Sequence, residues 1–308
     1  MTIMLARTRD FLEMIRFSHT VFALPFAMLG AFLASLLPRS DGPLSTGAFA
    51  MRWFAVVLCM VLARSAAMAF NRLVDASIDA RNPRTAARHL PSGRLSSSSV
   101  WLFFGASAIA FLLSCVLFLP NWLPLAGSIP ILIWICGYSF AKRFTAAAHL
   151  WLGVALAAAP VCAWIAIRGE SVLAQPSDLA PAITLAVAIA LWVAGFDIIY
   201  ACQDAEFDRE QGLHSLPATL GIAGALRLAA AAHFMMLVVL ASLPWLFPQL
   251  HLGIIYIFSL LIVSILVVIQ HRLVRPDDLR RVNIAFFRVN AIISFGLSSA
   301  TAVDAFWG

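Results

Sequence analysis

The chain has 308 residues, of which 62% are apolar and 12% charged, with a formal net charge of +6. Ordinary globular domains are roughly half apolar and a quarter charged, so a soluble fold of this length is excluded. Nothing alternates at strand period, which excludes a membrane barrel, and the basic excess follows membrane orientation and anionic lipid, with no nucleic-acid partner needed.

Apolar runs of about 20 residues, enough for a helix to cross a bilayer, recur along the whole chain. They predict an all-α, polytopic membrane protein with about nine transmembrane helices in one bundle, at roughly 18–37, 50–70, 99–119, 122–140, 148–168, 179–200, 226–247, 252–271 and 284–306. No linker divides them, so residues 1–308 read as one membrane-embedded domain. The first apolar stretch is long enough to remain as a helix and does not read as a cleaved leader. The third and fourth spans are joined only around Pro120-Asn121 and form a tight hairpin.

Basic residues sort by side. One side holds Arg7, Arg9 and Arg16, the loop with Arg72, Arg81, Arg84, Arg88 and Arg94, then Lys142-Arg143, Arg209, Arg227, and the loop with Arg272, Arg275, Arg280 and Arg281. The other side holds only Arg39, Arg52 and Arg168. By the positive-inside rule the first side is cytoplasmic, which puts the N-terminus inside and, in a bacterium, the protein in the plasma (inner) membrane. The five cysteines, Cys59, Cys115, Cys136, Cys162 and Cys202, lie in or beside apolar spans without CxxC spacing and read as small buried hydrophobes. His19, at the start of the first span, reads as a packed interfacial histidine.

The second span contains Arg64, an intramembrane charge and hence a functional candidate, about two helical turns before Asn71 on the same face. The polar loop 71–93 opens with Asn71, Asp75 and Asp79, one stripe of a helix that continues the span and stops at Asn82-Pro83. Lys142, the only lysine, follows the fourth span beside Arg143. Asp197 ends the sixth span, and Tyr200, Asp204 and Asp208 follow on a second helical extension ended near Gly212. The segments 71–93 and 197–217 thus repeat one plan about four spans apart. Both fall on the cytoplasmic side, at helix ends around a central cavity open to that side.

Carboxylates four residues apart on a helix repel each other. A chain this apolar that places them so twice needs something positive between them. Magnesium takes hard oxygen ligands and binds through one or two carboxylates plus substrate phosphates. Two facing acid clusters can hold Mg²⁺ around one diphosphate, with Arg16, Lys142, Arg143, Arg84, Arg88 and Arg209 available to the departing oxygens. For either cluster alone, the alternative is a solvated loop with local ion pairs.

These residues resemble the UbiA superfamily of membrane prenyltransferases, and the resemblance covers nearly the whole chain. Asn71-Arg-Leu-Val-Asp75-Ala-Ser-Ile-Asp79-Ala-Arg-Asn82-Pro83-Arg84, continuing to Pro91-Ser-Gly93, looks like its first aspartate-rich signature. Tyr200-Ala-Cys-Gln-Asp204-Ala-Glu-Phe-Asp208 looks like its second, and Tyr138-Ser-Phe-Ala-Lys142-Arg143 resembles the basic motif between them. Arg72 departs from the pattern, since many members carry a second aspartate there. The segment Arg16-Phe-Ser-His19 to Pro25-Phe26, with Gln211-Gly-Leu-His-Ser215, is similar to the 4-hydroxybenzoate polyprenyltransferase-like group.

The resemblance implies Mg²⁺ held by Asn71, Asp75, Asp79, Asp204 and Asp208. It also implies catalytic roles for Asp75, Asp79, Asp204, Asp208, Asp197 and Lys142, and substrate contacts from Arg16, Arg64, Asn71, Arg143 and Tyr200. The expected reaction is transfer of a polyprenyl group from its diphosphate to a ring carbon of an aromatic acid, 4-hydroxybenzoate, in quinone biosynthesis. The alternatives are 1,4-dihydroxy-6-naphthoate, on the futalosine route to menaquinone, or another lipophilic acceptor such as haem or a chlorophyll precursor. A secondary transporter would carry its charges at mid-span. A membrane phosphotransferase acting on CDP-alcohols would interleave Gly and Arg with its aspartates.

Overall fold

The computed structural model describes residues 2–15, 24–40 and 42–307. The chain forms α1 (Thr2–Met14), α2 (Leu24–Leu36), α3 (Thr46–Arg81), α4 (Ser97–Ser114), α5 (Leu123–Ala141), α6 (Ala148–Ala174), α7 (Ala180–Ala201), α8 (Ala205–Glu210), α9 (Leu216–Leu246), α10 (Ile254–Leu273) and α11 (Asn290–Trp307). Among the described residues, eight helical stretches are long and apolar enough to cross a membrane. The expected first span is represented by α2, a shorter apolar helix of 13 residues, and residues 16–23 lie outside the described part. Arg16 and His19 fall there too.

Hydroxyl caps open three of the long helices. Ser45, Ser96 and Ser215 accept from the backbone N–H groups of Ala48, Ser99 and Ala218, satisfying donors that a first turn leaves free. A short 3₁₀ turn, Cys115–Phe118, closes α4 and brings α5 back alongside it, forming the expected hairpin.

The innermost element is α7. In the span that includes it, 67% of the most apolar stretch is buried, against 22–44% in the others. Small residues let the helices approach closely, as membrane packing requires. A Cβ on Gly153 of α6 would stand 2.4 Å from the Ala190 carbonyl oxygen of α7, and one on Gly30 of α2 would stand 2.7 Å from Pro160 of α6.

The three arginines assigned to the sparsely basic side gather at one point. α6 departs from helical geometry at Arg168 (φ −123°, ψ 25°). The buried Arg168 guanidinium pairs with Asp178 at 2.6 Å and donates to the carbonyls of Leu37 and Pro38, each at 2.7 Å. Arg52 donates to the Ile167 carbonyl at 2.7 Å, Arg39 donates to the same oxygen, and Asn121 donates to Ile165 at 2.8 Å. Within a membrane, a broken helix is stable only where its freed carbonyls find such donors.

A π-helical turn, Ile284–Val289, precedes α11. Its irregular carbonyls are also satisfied from the side: Gln270 donates to Ala285 at 3.2 Å and Asn290 donates to Phe286 at 2.9 Å. The Asn290 oxygen in turn accepts from the Trp192 indole at 3.1 Å.

Candidate active site

With 36 residues, α3 is roughly 54 Å long at 1.5 Å per residue, well beyond the ~30 Å of a bilayer core. Its last turns therefore carry Asn71, Asp75 and Asp79 past the apolar run, as the spacing predicts. The helix stops at Asn82, whose backbone is extended as the residue before a proline must be.

Asp75 is buried; its Oδ2 lies 3.2 Å from the Lys142 ammonium and accepts from Asn71 Nδ2 at 3.0 Å. Asp79 is equally buried and takes Arg88 at 2.7 Å on both oxygens. Arg143 donates to the Val74 carbonyl at 2.6 Å and stands 3.6 Å from Asp75 Oδ1. Arg72 donates to the Met14 carbonyl of α1 and to Asn71 Oδ1, both at 3.4 Å. That side-chain oxygen is the atom Asn71 would offer a metal.

The second motif departs from the expected continuous helix. α7 tightens into a 3₁₀ turn, Cys202–Asp204, before α8 resumes the path. The tightened turn points Asp204 across the bundle end at the first motif. Asn82 Nδ2 donates to Asp204 Oδ1 at 2.9 Å and Arg84 Nε to the same oxygen at 2.8 Å, while Arg84 also bonds the Tyr200 hydroxyl at 2.9 Å. Burial works against charge on Arg84, but the Asp204 hydrogen bonds and charge outweigh it and hold the guanidinium above its ordinary range. Asp208 is buried and lies within the field of Lys142. The His214 N–H donates to the Lys142 carbonyl at 2.7 Å and locks the two basic-end loops together.

The four aspartates thus sit at one end of the bundle, on two facing motifs. Among the described residues, no three of them bring carboxylate oxygens within 4.8 Å of one another. A protein-only metal cage is therefore absent among these residues. Facing pairs of hard oxygen donors suit magnesium that is completed by water and phosphate oxygens. Asp75 Oδ1 is buried and has no hydrogen-bond partner, a donor atom left for such a ligand.

A cavity of about 770 Å³ extends into the bundle between α3, α5, α6 and α7. Its wall is mostly apolar. The exceptions include Arg64, Tyr138 and Asp197, which precede Asn71, Lys142 and Asp204 by one or two helical turns and so mark the cavity end nearest the aspartates. Arg64 Nε is buried and has no hydrogen-bond partner. Asp197 Oδ2 is bonded to His149 Nδ1 at 2.7 Å. Phe196 and Phe286 line the same end, with ring centroids 5.2 Å apart, and Phe286 tilts against Tyr200 at 4.3 Å.

The structure brings together Asn71, Asp75, Asp79, Lys142, Arg143, Tyr200, Asp204 and Asp208, and sets Arg64 and Asp197 deeper. Sequence reasoning missed His149, a lone histidine at the start of an apolar span, and the role of Asn82 beyond stopping its helix. Neither carries a spacing signal, because both act across the fold.

The UbiA prenyltransferase family profile matches residues 23–292. The 4-hydroxybenzoate octaprenyltransferase of Nitrosomonas eutropha is 32% identical over 255 residues, covering 80% of this chain and 83% of that protein. The corresponding enzyme of Vibrio vulnificus is 31% identical over 220 residues, covering 71% of this chain and 72% of its own. Among solved structures, the apo form of a UbiA homologue from Aeropyrum pernix K1 superposes with a TM-score of 0.78 at 29% identity, covering 93% of this chain and 98% of that one. A UbiA homologue from Archaeoglobus fulgidus bound to GPP and Mg²⁺ shares the fold, with a TM-score of 0.62 at 17% identity and coverage of 95% and 99%. The helical membrane fold, the facing aspartate motifs and these matches agree: the chain belongs to the UbiA prenyltransferase family and is a membrane prenyltransferase.

Proposed function

We propose that this protein, a single membrane domain over 1–308, transfers a polyprenyl group from polyprenyl diphosphate to a ring carbon of 4-hydroxybenzoate in a Mg²⁺-dependent reaction. The observation that carries the acceptor class is Arg64. Its guanidinium faces an apolar cavity with a buried, unpartnered nitrogen, close to the aspartates but deeper. An aromatic carboxylate would complete it with a charge-assisted bond in a dry site. The Nitrosomonas eutropha and Vibrio vulnificus relatives, both 4-hydroxybenzoate octaprenyltransferases, support the same class.

In this reading Asp75 and Asp79 on one motif, and Asp204 and Asp208 on the other, would hold the ion, and Asn71 would offer its side-chain oxygen. Bound Mg²⁺ supplies neutralisation of the charge that grows on the departing diphosphate. Lys142 now pairs with Asp75 at 3.2 Å, and Arg84 with Asp204; both can turn to phosphate oxygens when the aspartates are engaged. Arg143 adds positive charge beside Asp75, and Arg16, outside the described residues, keeps the phosphate-binding role expected from its motif. The C–O bond of the prenyl diphosphate breaks with its electron pair on the leaving group, and the allylic cation is shielded from water by the apolar cavity. Phe196 and Phe286 line the cavity and supply the aromatic surface near that cation. The acceptor ring attacks, its C–H bond returns an electron pair to the ring, and the proton departs. Arg64 orients the carboxylate and Asp197 the phenol. The motif end faces the cytoplasm of a bacterial inner membrane, and the cavity opens to that side.

The test is incubation of purified protein with geranyl diphosphate, with and without Mg²⁺, and with 4-hydroxybenzoate and 1,4-dihydroxy-6-naphthoate offered together. The expected outcome is geranylated 4-hydroxybenzoate, identified by mass and lost with a chelator. A product from the naphthoate alone would move the acceptor, and a chelator-resistant product would remove the metal.

A further inference from the structure

Asp197 is held by a residue outside both aspartate motifs. His149 is the second residue of α6, 5% exposed, and its ring lies where α6, α7 and the start of α9 meet. Nδ1 stands 2.7 Å from Asp197 Oδ2, and Nε2 faces the Leu216 backbone nitrogen at 3.4 Å. A backbone N–H can only donate, so Nε2 accepts, and the ring proton lies on Nδ1, donated to Asp197. One carboxylate oxygen of Asp197 is thereby fixed. The other has no hydrogen-bond partner among the described residues, and Asp197 lines the cavity with Arg64.

Two polar groups of opposite sign, each with an unpartnered atom, thus stand in a mostly apolar chamber. They match a ring with a carboxylate at one end and a hydroxyl at the other. We infer that His149 is a positioning residue for the acceptor: it orients Asp197 so that the free oxygen receives the acceptor's hydroxyl while Arg64 takes its carboxylate. This rests on the acceptor class proposed above.

The experiment compares wild type, His149→Ala and His149→Asn in the geranyl transfer assay, with benzoate as a competitive inhibitor that keeps the carboxylate and lacks the hydroxyl. Losing a hydrogen bond to a charged group is worth about tenfold or more in affinity, so His149→Ala should raise the 4-hydroxybenzoate KM about tenfold or more. The geranyl diphosphate KM and the benzoate Ki should both stay within about twofold, because neither ligand uses Asp197. Asparagine places an amide N–H near the Nδ1 position and should bring the acceptor KM back to within about threefold of wild type. If His149→Ala does not fold, His149→Leu, similar in size and without a donor, takes its place.

A benzoate Ki that rises in step with the acceptor KM, an unchanged acceptor KM, or a failure of asparagine to rescue would each overturn the inference and leave His149 a packing residue. A wild-type protein that prenylates no aromatic acid fails differently: it removes the acceptor class itself.

Discussion

Asp75, Asp79 and Asp204 each meet a cation of the chain, Lys142, Arg88 and Arg84 respectively. Buried carboxylates stay ionised only where such partners or an ion stand close, so the site is held in a charge-neutralised resting arrangement. Asp75→Asn and Asp204→Asn keep the shape and remove the charge. Each is expected to lower Mg²⁺-dependent prenyl transfer by about a hundredfold or more while the protein still inserts, as judged by product mass and by recovery in the membrane fraction. Normal turnover in either would sink the metal assignment. Arg64 lies deeper and makes a different prediction. Arg64→Ala should raise the acceptor KM by about tenfold or more and leave the prenyl diphosphate KM nearly unchanged, read from initial rates with each substrate varied. Arg72, the departure from the family pattern, does not substitute for an aspartate. It ties α1 to α3 through the Met14 carbonyl and occupies the side-chain oxygen of Asn71.

Two irregular elements do work that regular helices cannot. The π turn at Ile284–Val289 brings Phe286 to the cavity wall, and it persists because Asn290 and Gln270 bond the carbonyls it frees. Asn290→Ala would leave the buried Trp192 N–H unpaired and remove the side-chain bond to the Phe286 carbonyl. The expected cost is about 1–3 kcal/mol, seen as a lower melting temperature in detergent, with prenyl transfer reduced further as Phe286 shifts. At the other end, the α6 break at Arg168 is held by five side chains, Arg39, Arg52, Asn121, Asp178 and Arg168 itself, which is why the sparse arginines of that face are withdrawn from solvent and bonded. Between these ends α6 and α7 touch backbone to side. Gly153→Leu has no room against the Ala190 carbonyl and should abolish accumulation of folded protein, checked by size-exclusion profile after solubilisation.

At the scale of the whole molecule, the bundle is polarised: aspartates and most basic residues at one end, paired arginines at the other, an apolar chamber between them. Orientation is testable with an impermeant maleimide after replacing the five native cysteines. A cysteine at exposed Ser92 should label only in inverted vesicles, and one at exposed Gln175 only from outside intact cells. The reverse pattern would invert the proposed topology. Composition alone settled that the chain is helical and membrane-embedded, because 20-residue apolar runs allow little else. The four-residue spacing of Asn71, Asp75 and Asp79 settled their shared helix face, because helix geometry is local. Local spacing was a weaker guide at Asp204, where a 3₁₀ turn replaces the expected helix in order to reach Asn82 and Arg84 more than a hundred residues earlier. The chamber, the unpartnered nitrogen of Arg64 and the bond from His149 to Asp197 came only from the tertiary structure. Each depends on which helices pack side by side, and a single helix carries no record of its neighbours.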